Sequence, residues 1–397
     1  MKTKKSLIAF LSAVICISSL ISAALPVYCA NGSAVISAAA VEDPMPFDLD
    51  CASAVLMDAA TGTVLYNKNG LEPLPPASVT KIMTLLLTME AIDSGKLKLD
   101  DKIQTSEYAA SKGGSQVYLE PGEDMSVEDL IKCVVISSAN DAAVTLAEAV
   151  AGSETAFVDL MNKKAEDMGM SNTHFENATG LDDTTTNHVT SAVDIAVMSR
   201  ELLSHPLILK YSSIWMDSIR NGEFGLTNTN RLIRFYSGAT GLKTGSTSKA
   251  KFCISATACR NGLHLIAVIM GAPTRDIRNE AAKKLLDYGF ANYSLYTDED
   301  GESGSIQIKH GVKQSAAVKS EVFSALLSKG DSSKVNTNVV LDESVTAPVK
   351  AGDIVGKVEY TVEGRVIGST DVIISENVDR IGLFEIFRRI ASYFTMS

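Results

Sequence analysis

The run Pro75-Pro76-Ala77-Ser78-Val79-Thr80-Lys81 reads as the opening of a helix. Prolines end the preceding chain and are tolerated where a helix begins, and Ile82, Leu85, Leu86 and Met89 give the segment 79–94 an apolar face. Ser78 then falls in the first turn, and Lys81, three residues on, brings its amine beside the Ser78 hydroxyl. The free N–H groups and positive dipole end of a helix N-terminus suit a developing oxyanion. A Ser-x-x-Lys spacing is weak evidence alone, since Ser246-Thr247-Ser248-Lys249 has it too. That second match lies in a Gly/Ser/Thr loop leading into a strand, where residues i and i+3 do not stack, and is read as a decoy.

Upstream of the prolines, Ala54 and Leu56, then Val64 and Tyr66, flank Asp58-Ala59-Ala60-Thr61-Gly62, a hairpin pattern with a glycine for the turn. Downstream, periodicity predicts helices at 126–137, 141–151, 154–168, 191–203 and 275–289, and strands at 251–258 and 263–271. An early hairpin, a long helical block and late strands imply an α+β domain over 47–291 whose sheet joins both ends of the segment. From Ser305 to Ser375 short runs alternate apolar and polar residues, as in Val358, Tyr360 and Val362, with Glu363-Gly364 as a turn. Residues 292–376 therefore read as a small β domain, and 377–397 as an amphipathic helix.

The chain of 397 residues is long enough for two folded units, and 46% hydrophobic with 21% charged residues is ordinary globular composition. A formal charge of -11 argues against nucleic acid as a partner, because phosphate binding needs clustered Lys and Arg. Lys2, Lys4 and Lys5 precede an apolar stretch from Leu7 to Leu25, so residues 1–30 read as an export signal, with Ala30, Ala34 and Ala40 all open as cleavage sites. The Ala- and Ser-rich residues 31–46 read as a tether. Four cysteines lie beyond the signal, and Cys253 and Cys259 are about 20 Å apart on one face of a strand, too far to bond. All four are expected as free thiols. The five histidines show no metal-ligand spacing, so neither a zinc peptidase nor a cofactor is expected, and His174 reads as a structural hydrogen-bonding residue.

Two further motifs change the weight of Ser78. Ser138-Ala139-Asn140 sits between the apolar run Leu130 to Ile136 and the next helix, and Lys243-Thr244-Gly245 sits in a Gly-rich stretch just before a strand. Alone they read as an interhelical turn with an Asn or Asp cap and as a strand-edge loop. Ser-x-x-Lys, Ser-Asp-Asn and Lys-Thr-Gly together are the known signature of class A β-lactamases and penicillin-binding proteins, and the order here matches. The stretch from about 48 to 291 resembles the low-molecular-mass penicillin-binding proteins that act as D-alanyl-D-alanine carboxypeptidases. Asn172-Thr173-His174-Phe175, Gly180-Leu181-Asp182 and Gly241-Leu242-Lys243-Thr244-Gly245 carry the likeness, and the β domain and tail fit it too.

That resemblance implies a β-lactamase/transpeptidase-like catalytic domain and gives the residues roles. Ser78 would be the nucleophile and Lys81 its base, which asks for a drop of roughly 3 pKa units, or about 4 kcal/mol, from the usual lysine value. Burial and the ammonium of Lys243 push that way. Ser138 would relay a proton to the leaving amine, and Asn140 would hold Lys81 and the substrate amide. Lys243, Thr244 and Arg278 would hold the terminal carboxylate. Gly245 would let the substrate backbone lie against the strand, and the N–H groups of Ser78 and Ser246 would form the oxyanion hole. The middle motif lacks the Asp typical of class A β-lactamases, which leans toward the carboxypeptidases.

The expected activity is removal of the last D-Ala from peptidoglycan pentapeptide stems, with β-lactam antibiotics as covalent inhibitors. A D,D-endopeptidase with the same site, a β-lactamase and a silent wall-binding module are the rivals. The β domain, the tail and the lack of a Glu-x-x-Leu-Asn segment disfavour the lactamase, and the intact motifs disfavour the silent module. In the tail, Leu383, Ile386, Phe387, Ile390, Tyr393 and Phe394 share one helical face, opposite Glu385, Arg388, Arg389 and Ser392. That pattern predicts an enzyme held on the outer face of the cytoplasmic membrane.

Overall fold

The computed structural model describes residues 48–298 and 303–388. The expected signal, the tether and the last nine residues of the tail lie outside the described residues. The first part of the chain folds around a five-stranded antiparallel sheet, in the spatial order Val64–Lys68, Ser53–Asp58, Leu263–Ala272, Lys251–Arg260 and Ala239–Thr247. The N-terminal hairpin thus pairs with strands more than two hundred residues later, as the order of elements predicts. Its turn is closed by Asp58, whose carboxylate accepts from Thr61 N–H and Oγ1 at 2.8 and 2.7 Å, and by Gly62 at φ +74°.

Both faces of the sheet are covered, which is why its central strand, Leu263–Ala272, is apolar almost without interruption. Residues of alternate parity part to opposite cores. Val55, Met57, Ile266, Val268 and Met270 face the helical block, while Ala54, Leu56, Leu265, Ala267 and Ile269 pack against Ala282, Leu285 and Leu286 of the helix Arg275–Asn292. Four helices, Val127–Ile136, Glu154–Asp167, Ala192–Leu203 and Arg275–Asn292, start after a Ser or Thr whose hydroxyl accepts a first-turn N–H.

The helix after the two prolines differs from expectation. A 3-10 turn, Ala77–Thr80, comes first, with Ala77 in the left-handed region at φ +48°, and the α-helix runs Lys81–Asp93. Every residue from Lys81 to Met89 is buried, so this is a central helix rather than one with a single apolar face. Its polar residues are tolerated because each finds a partner, Thr84 Oγ1 donating to Ala178 O at 2.6 Å and Thr88 Oγ1 to Thr84 O at 2.8 Å. Lys243-Thr244-Gly245 also departs from expectation. It lies inside the nine-residue edge strand Ala239–Thr247, whose pairing with Lys251–Arg260 overrides its Gly and Thr content.

From Tyr293 to Ile374 the described chain is built of strands, apart from one 3-10 turn at Ser332–Lys334. A six-stranded sheet runs Val335–Leu341, Ile354–Val362, Arg365–Ile374, Ser315–Ser320, Ser303–Lys309, Ser344–Thr346, with a two-stranded ribbon, Tyr293–Asp298 and Phe323–Ser328, beside it. Val358, Tyr360 and Val362 point inward, and Tyr360 stacks on Phe323 with ring centroids 3.9 Å apart. Glu363 and Gly364, both at positive φ, make the two-residue turn. The tail is corrected at its start. Residues 378–381 are extended, with Val378 bridged to Val349 and Ile381 N–H donating to His310 O, and the helix begins at Leu383. Among the described residues no helix is long and apolar enough to cross a membrane.

Candidate active site

Three elements meet at Ser78. The 3-10 turn presents its hydroxyl, the first turn of the helix Asn140–Ala151 presents Asn140, and the edge strand presents Lys243. Lys81 Nζ donates to Ser78 Oγ at 2.9 Å, to Asn140 Oδ1 at 2.6 Å and to Thr179 O at 2.8 Å. Its side chain is fully buried, and burial first, then the charge of Lys243, hold its pKa well below the ordinary lysine value, against an opposing pull from Asp141. A neutral amine has two N–H bonds and one lone pair. With Asn140 Oδ1 and Thr179 O accepting the two N–H bonds, the lone pair is left facing the Ser78 hydroxyl. That geometry suits proton abstraction from Ser78.

Lys243 Nζ donates to Ser138 Oγ and to Thr244 O, both at 2.8 Å. Burial, with the Arg278 charge adding to it, brings its pKa down to about 7. Arg278 is buried, its pKa is lowered by burial to about 10, and its guanidinium donates only to neutral acceptors, Asn279 Oδ1 and Cys253 O. Lys81, Lys243 and Arg278 form no ion pair among the described residues. A buried cluster of cations lacking a carboxylate in contact is a ready site for a ligand carboxylate. Thr244 Oγ1 donates to Thr229 Oγ1 at 2.8 Å, which leaves Thr244 an acceptor lone pair and Thr229 a hydroxyl hydrogen at the same edge.

The sequence-predicted residues therefore converge, with Ser78, Lys81 and Asn140 in direct contact and Ser138 joined to Lys243. Gly245 packs against the backbone of Pro76, Ser78 and Val79, so its missing side chain admits the Ser78 turn. Ser246 is exposed, and its partner in the decoy motif turns away, Lys249 donating to Asp182 O at 2.7 Å. His174 Nδ1 lies 3.1 Å from Asn187 O, the structural role expected of it. All four described cysteines are free.

Motif reading misses the backbone acceptors. Thr179 O holds Lys81, Gly113 O accepts from Asn140 Nδ2 at 2.6 Å, and Ser115 O accepts from Asn140 N–H at 2.7 Å. Asp141 holds the stretch that follows them, its carboxylate accepting from Val117 and Leu119 N–H at 3.1 and 3.0 Å. The available signal is Gly180, at φ +79°, where a Cβ would stand 1.9 Å from Ala77 O. Only glycine lets the 177–182 loop reach the nucleophile turn.

Comparison with known proteins agrees with this geometry. The family profile described as D-alanyl-D-alanine carboxypeptidase matches residues 37–274, and that of the penicillin-binding protein 5 C-terminal domain matches 290–380. The chain is 42% identical to D-alanyl-D-alanine carboxypeptidase DacF of Bacillus subtilis over 85% of its own length and 88% of the relative's. It is 33% identical to DacC of Escherichia coli, covering 85% and 86%. Among solved structures, penicillin binding protein 5 from Haemophilus influenzae superposes with a TM-score of 0.72 at 31% identity, over 85% of this chain and all of that one. Penicillin-binding protein D2 from Listeria monocytogenes in its ampicillin-bound form matches 62% of this chain with a TM-score of 0.54 at 33% identity. The chain belongs to the D-alanyl-D-alanine carboxypeptidase family of serine peptidases.

Proposed function

We propose that this protein removes the terminal D-alanine from peptidoglycan stem peptides through an acyl-enzyme on Ser78. The observation that carries the reading is the buried Lys81 amine, 2.9 Å from Ser78 Oγ with its other N–H directions occupied. Lys81 takes the Ser78 proton as Oγ bonds to the carbonyl carbon of the scissile peptide. The oxyanion lies toward the N–H groups of Ser78 and Ser246, donors fixed before the reaction starts. Ser138, held by Lys243 Nζ at 2.8 Å, relays to the leaving amine the proton that Lys81 took from Ser78, so that Lys81 is neutral again and the Ser138 hydroxyl is restored. Lys243, Thr244 and Arg278 receive the substrate carboxylate, the charge that a terminal D-alanine brings and a mid-chain residue lacks. Water then cleaves the ester and returns Ser78.

A strained β-lactam amide enters the same cycle and leaves a penicilloyl ester on Ser78. Labelled penicillin should be found by mass spectrometry on the peptide carrying Ser78. Label on Ser246 would overturn the assignment. Ser78→Ala should lose both labelling and release of D-alanine from a pentapeptide stem, followed by chromatography.

Export through residues 1–30 and attachment to the outer face of the membrane through the tail belong to the same proposal. What supports attachment is the start of the tail helix, where Leu383, Phe384 and Phe387 are 76%, 84% and 69% exposed. Half-burial of the six apolar residues of the expected face is worth on the order of 5 to 9 kcal/mol before ordering costs.

A further inference from the structure

Of the two acceptors that orient the Lys81 amine, Thr179 O sits on the 177–182 loop and Asn140 Oδ1 on the first turn of a helix, where Gly113 O holds the Asn140 side chain. A single carboxylate ties that loop to the segment before Gly113. Glu154, the first residue of the helix Glu154–Asp167, is buried at 6% exposure. Its Oε1 accepts from Ala178 N–H at 3.0 Å, one residue from Thr179, whose carbonyl holds Lys81. Its Oε2 accepts from Lys112 Nζ and Tyr108 Oη, each at 2.7 Å. Lys112 adjoins Gly113, whose carbonyl accepts from Asn140 Nδ2, and Asn140 Oδ1 is the other acceptor for Lys81. Lys112 Nζ also lies 3.7 Å above the Tyr108 ring, so the side chains meeting Oε2 hold one another.

Other ties hold the 177–182 loop to different elements, with Thr247 Oγ1 and Lys249 Nζ donating to Asp182 from the end of the edge strand and the turn after it. Asn177 Oδ1 accepts within its own loop, from Thr179 and Gly180 N–H, and Thr84 holds Ala178 O from the central helix. Glu154 alone of these contacts joins the 177–182 loop to the 108–113 segment.

We propose that Glu154 is a positioning residue for acylation: by clamping Ala178 to Lys112 it fixes Thr179 O and Asn140 together, and so aims the Lys81 lone pair at Ser78. This rests on Lys81 being the base. No atom of Glu154 touches substrate, and the carboxylate pocket of Lys243, Thr244 and Arg278 is held by other elements. Loss of the clamp therefore acts on the acylation step and not on initial binding.

The test separates positioning from mere stability. Glu154→Gln weakens the clamp and leaves the half-buried Lys112 beside a neutral group, so it is expected to destabilise the fold. The double variant E154Q/K112M removes the stranded cation and restores stability without restoring the tie. With a fluorescent penicillin in stopped flow, the double variant is expected to melt within a few degrees of the wild type, to bind non-covalently with unchanged affinity, and to acylate at least tenfold more slowly. Acylation that recovers along with stability, or a loss confined to initial affinity, would overturn the proposal. Lys81→Met reports separately on the underlying reading: normal acylation by that variant would remove the base from Lys81, whatever the Glu154 variants do.

Discussion

A Cβ built on Gly245 would stand 2.8 Å from Pro76 O and Ser78 N and 2.9 Å from Val79 N, all of them backbone atoms that cannot swing aside. Gly245→Ala is therefore expected to push the edge strand off the Ser78 turn and spoil the spacing of the Ser78 and Ser246 N–H groups, the oxyanion donors proposed above. Removing one such donor elsewhere costs about 100-fold or more in rate, and a loss of that order is expected in the acylation rate constant of this variant. Ser246→Ala, which changes only an exposed side chain, should acylate within about twofold of the wild type, since surface substitutions of this kind shift energies by about 0.5 kcal/mol. Equal losses in the two variants would place the requirement on side chains instead of backbone. At this scale the side-chain members of the site were legible from three short motifs, because each needs a particular functional group. Thr179, Gly113 and Ser115 act through carbonyl oxygens that every residue possesses, so their identity carries no signal.

The segment 377–388 divides into two parts with different physical roles. Val378 is 1% exposed and exchanges both backbone hydrogen bonds with Val349, while Val312 N–H donates to Asp379 O and Ile381 N–H to His310 O. A chain ending at Gly382 keeps all four bonds and loses the helix that begins at Leu383 together with the residues after it. One ending at Asn377 loses the bonds and the Val378 side chain, worth roughly 1.5 to 3 kcal/mol of burial alone. Expression of both truncations with the native export signal, followed by fractionation and thermal melting, checks this. The chain ending at Gly382 should leave the membrane fraction with its melting temperature unchanged, and the one ending at Asn377 should leave it destabilised. Sedimentation of the first with membranes would assign attachment elsewhere. The amphipathic pattern placed the helix start at residue 377, but residues 378–381 make isolated backbone bridges because His310, Val312 and Val349 offer them partners that no local pattern announces, and the helix begins at Leu383.

Two histidines in separate parts of the first domain, His188 buried and His264 half-buried, make the whole molecule sensitive to mild acid. His188 accepts from Glu176 N–H through Nδ1 at 3.0 Å and so donates from Nε2 to Thr80 Oγ1 at 2.8 Å. Burial lowers its pKa from 6.5 to about 4. His264 lies 2.8 Å from Thr240 Oγ1, and burial lowers its pKa to about 4 as well. Between pH 6.5 and 4 the unfolded chain therefore binds more protons than the folded one, and stability rises with pH across that window. The folded state is undisturbed by these groups above pH 6.5 and progressively penalised as pH falls toward 4. At about 1.36 kcal/mol per pKa unit, each contributes a loss on the order of 3 kcal/mol by the bottom of the window. Urea titrations at intervals across it should show the decline, and the double variant H188Q/H264Q should flatten it. A wild-type profile level from pH 6.5 to 4.5 would exclude the linkage.

The order of elements, the alternation of Val358, Tyr360 and Val362, the helix-capping hydroxyls and the three motifs were determined by the sequence alone, since each depends on contacts within a few residues or on which functional groups are present. The tertiary structure decided the rest. It made the Lys81 helix a buried central element, because helices and sheet enclose it from all sides. It turned Lys243-Thr244-Gly245 into an edge strand, because Lys251–Arg260 supplied a ladder. It neutralised the drive of Lys81 to remain protonated, because a buried amine beside Lys243 loses the solvation that the same side chain enjoys in water.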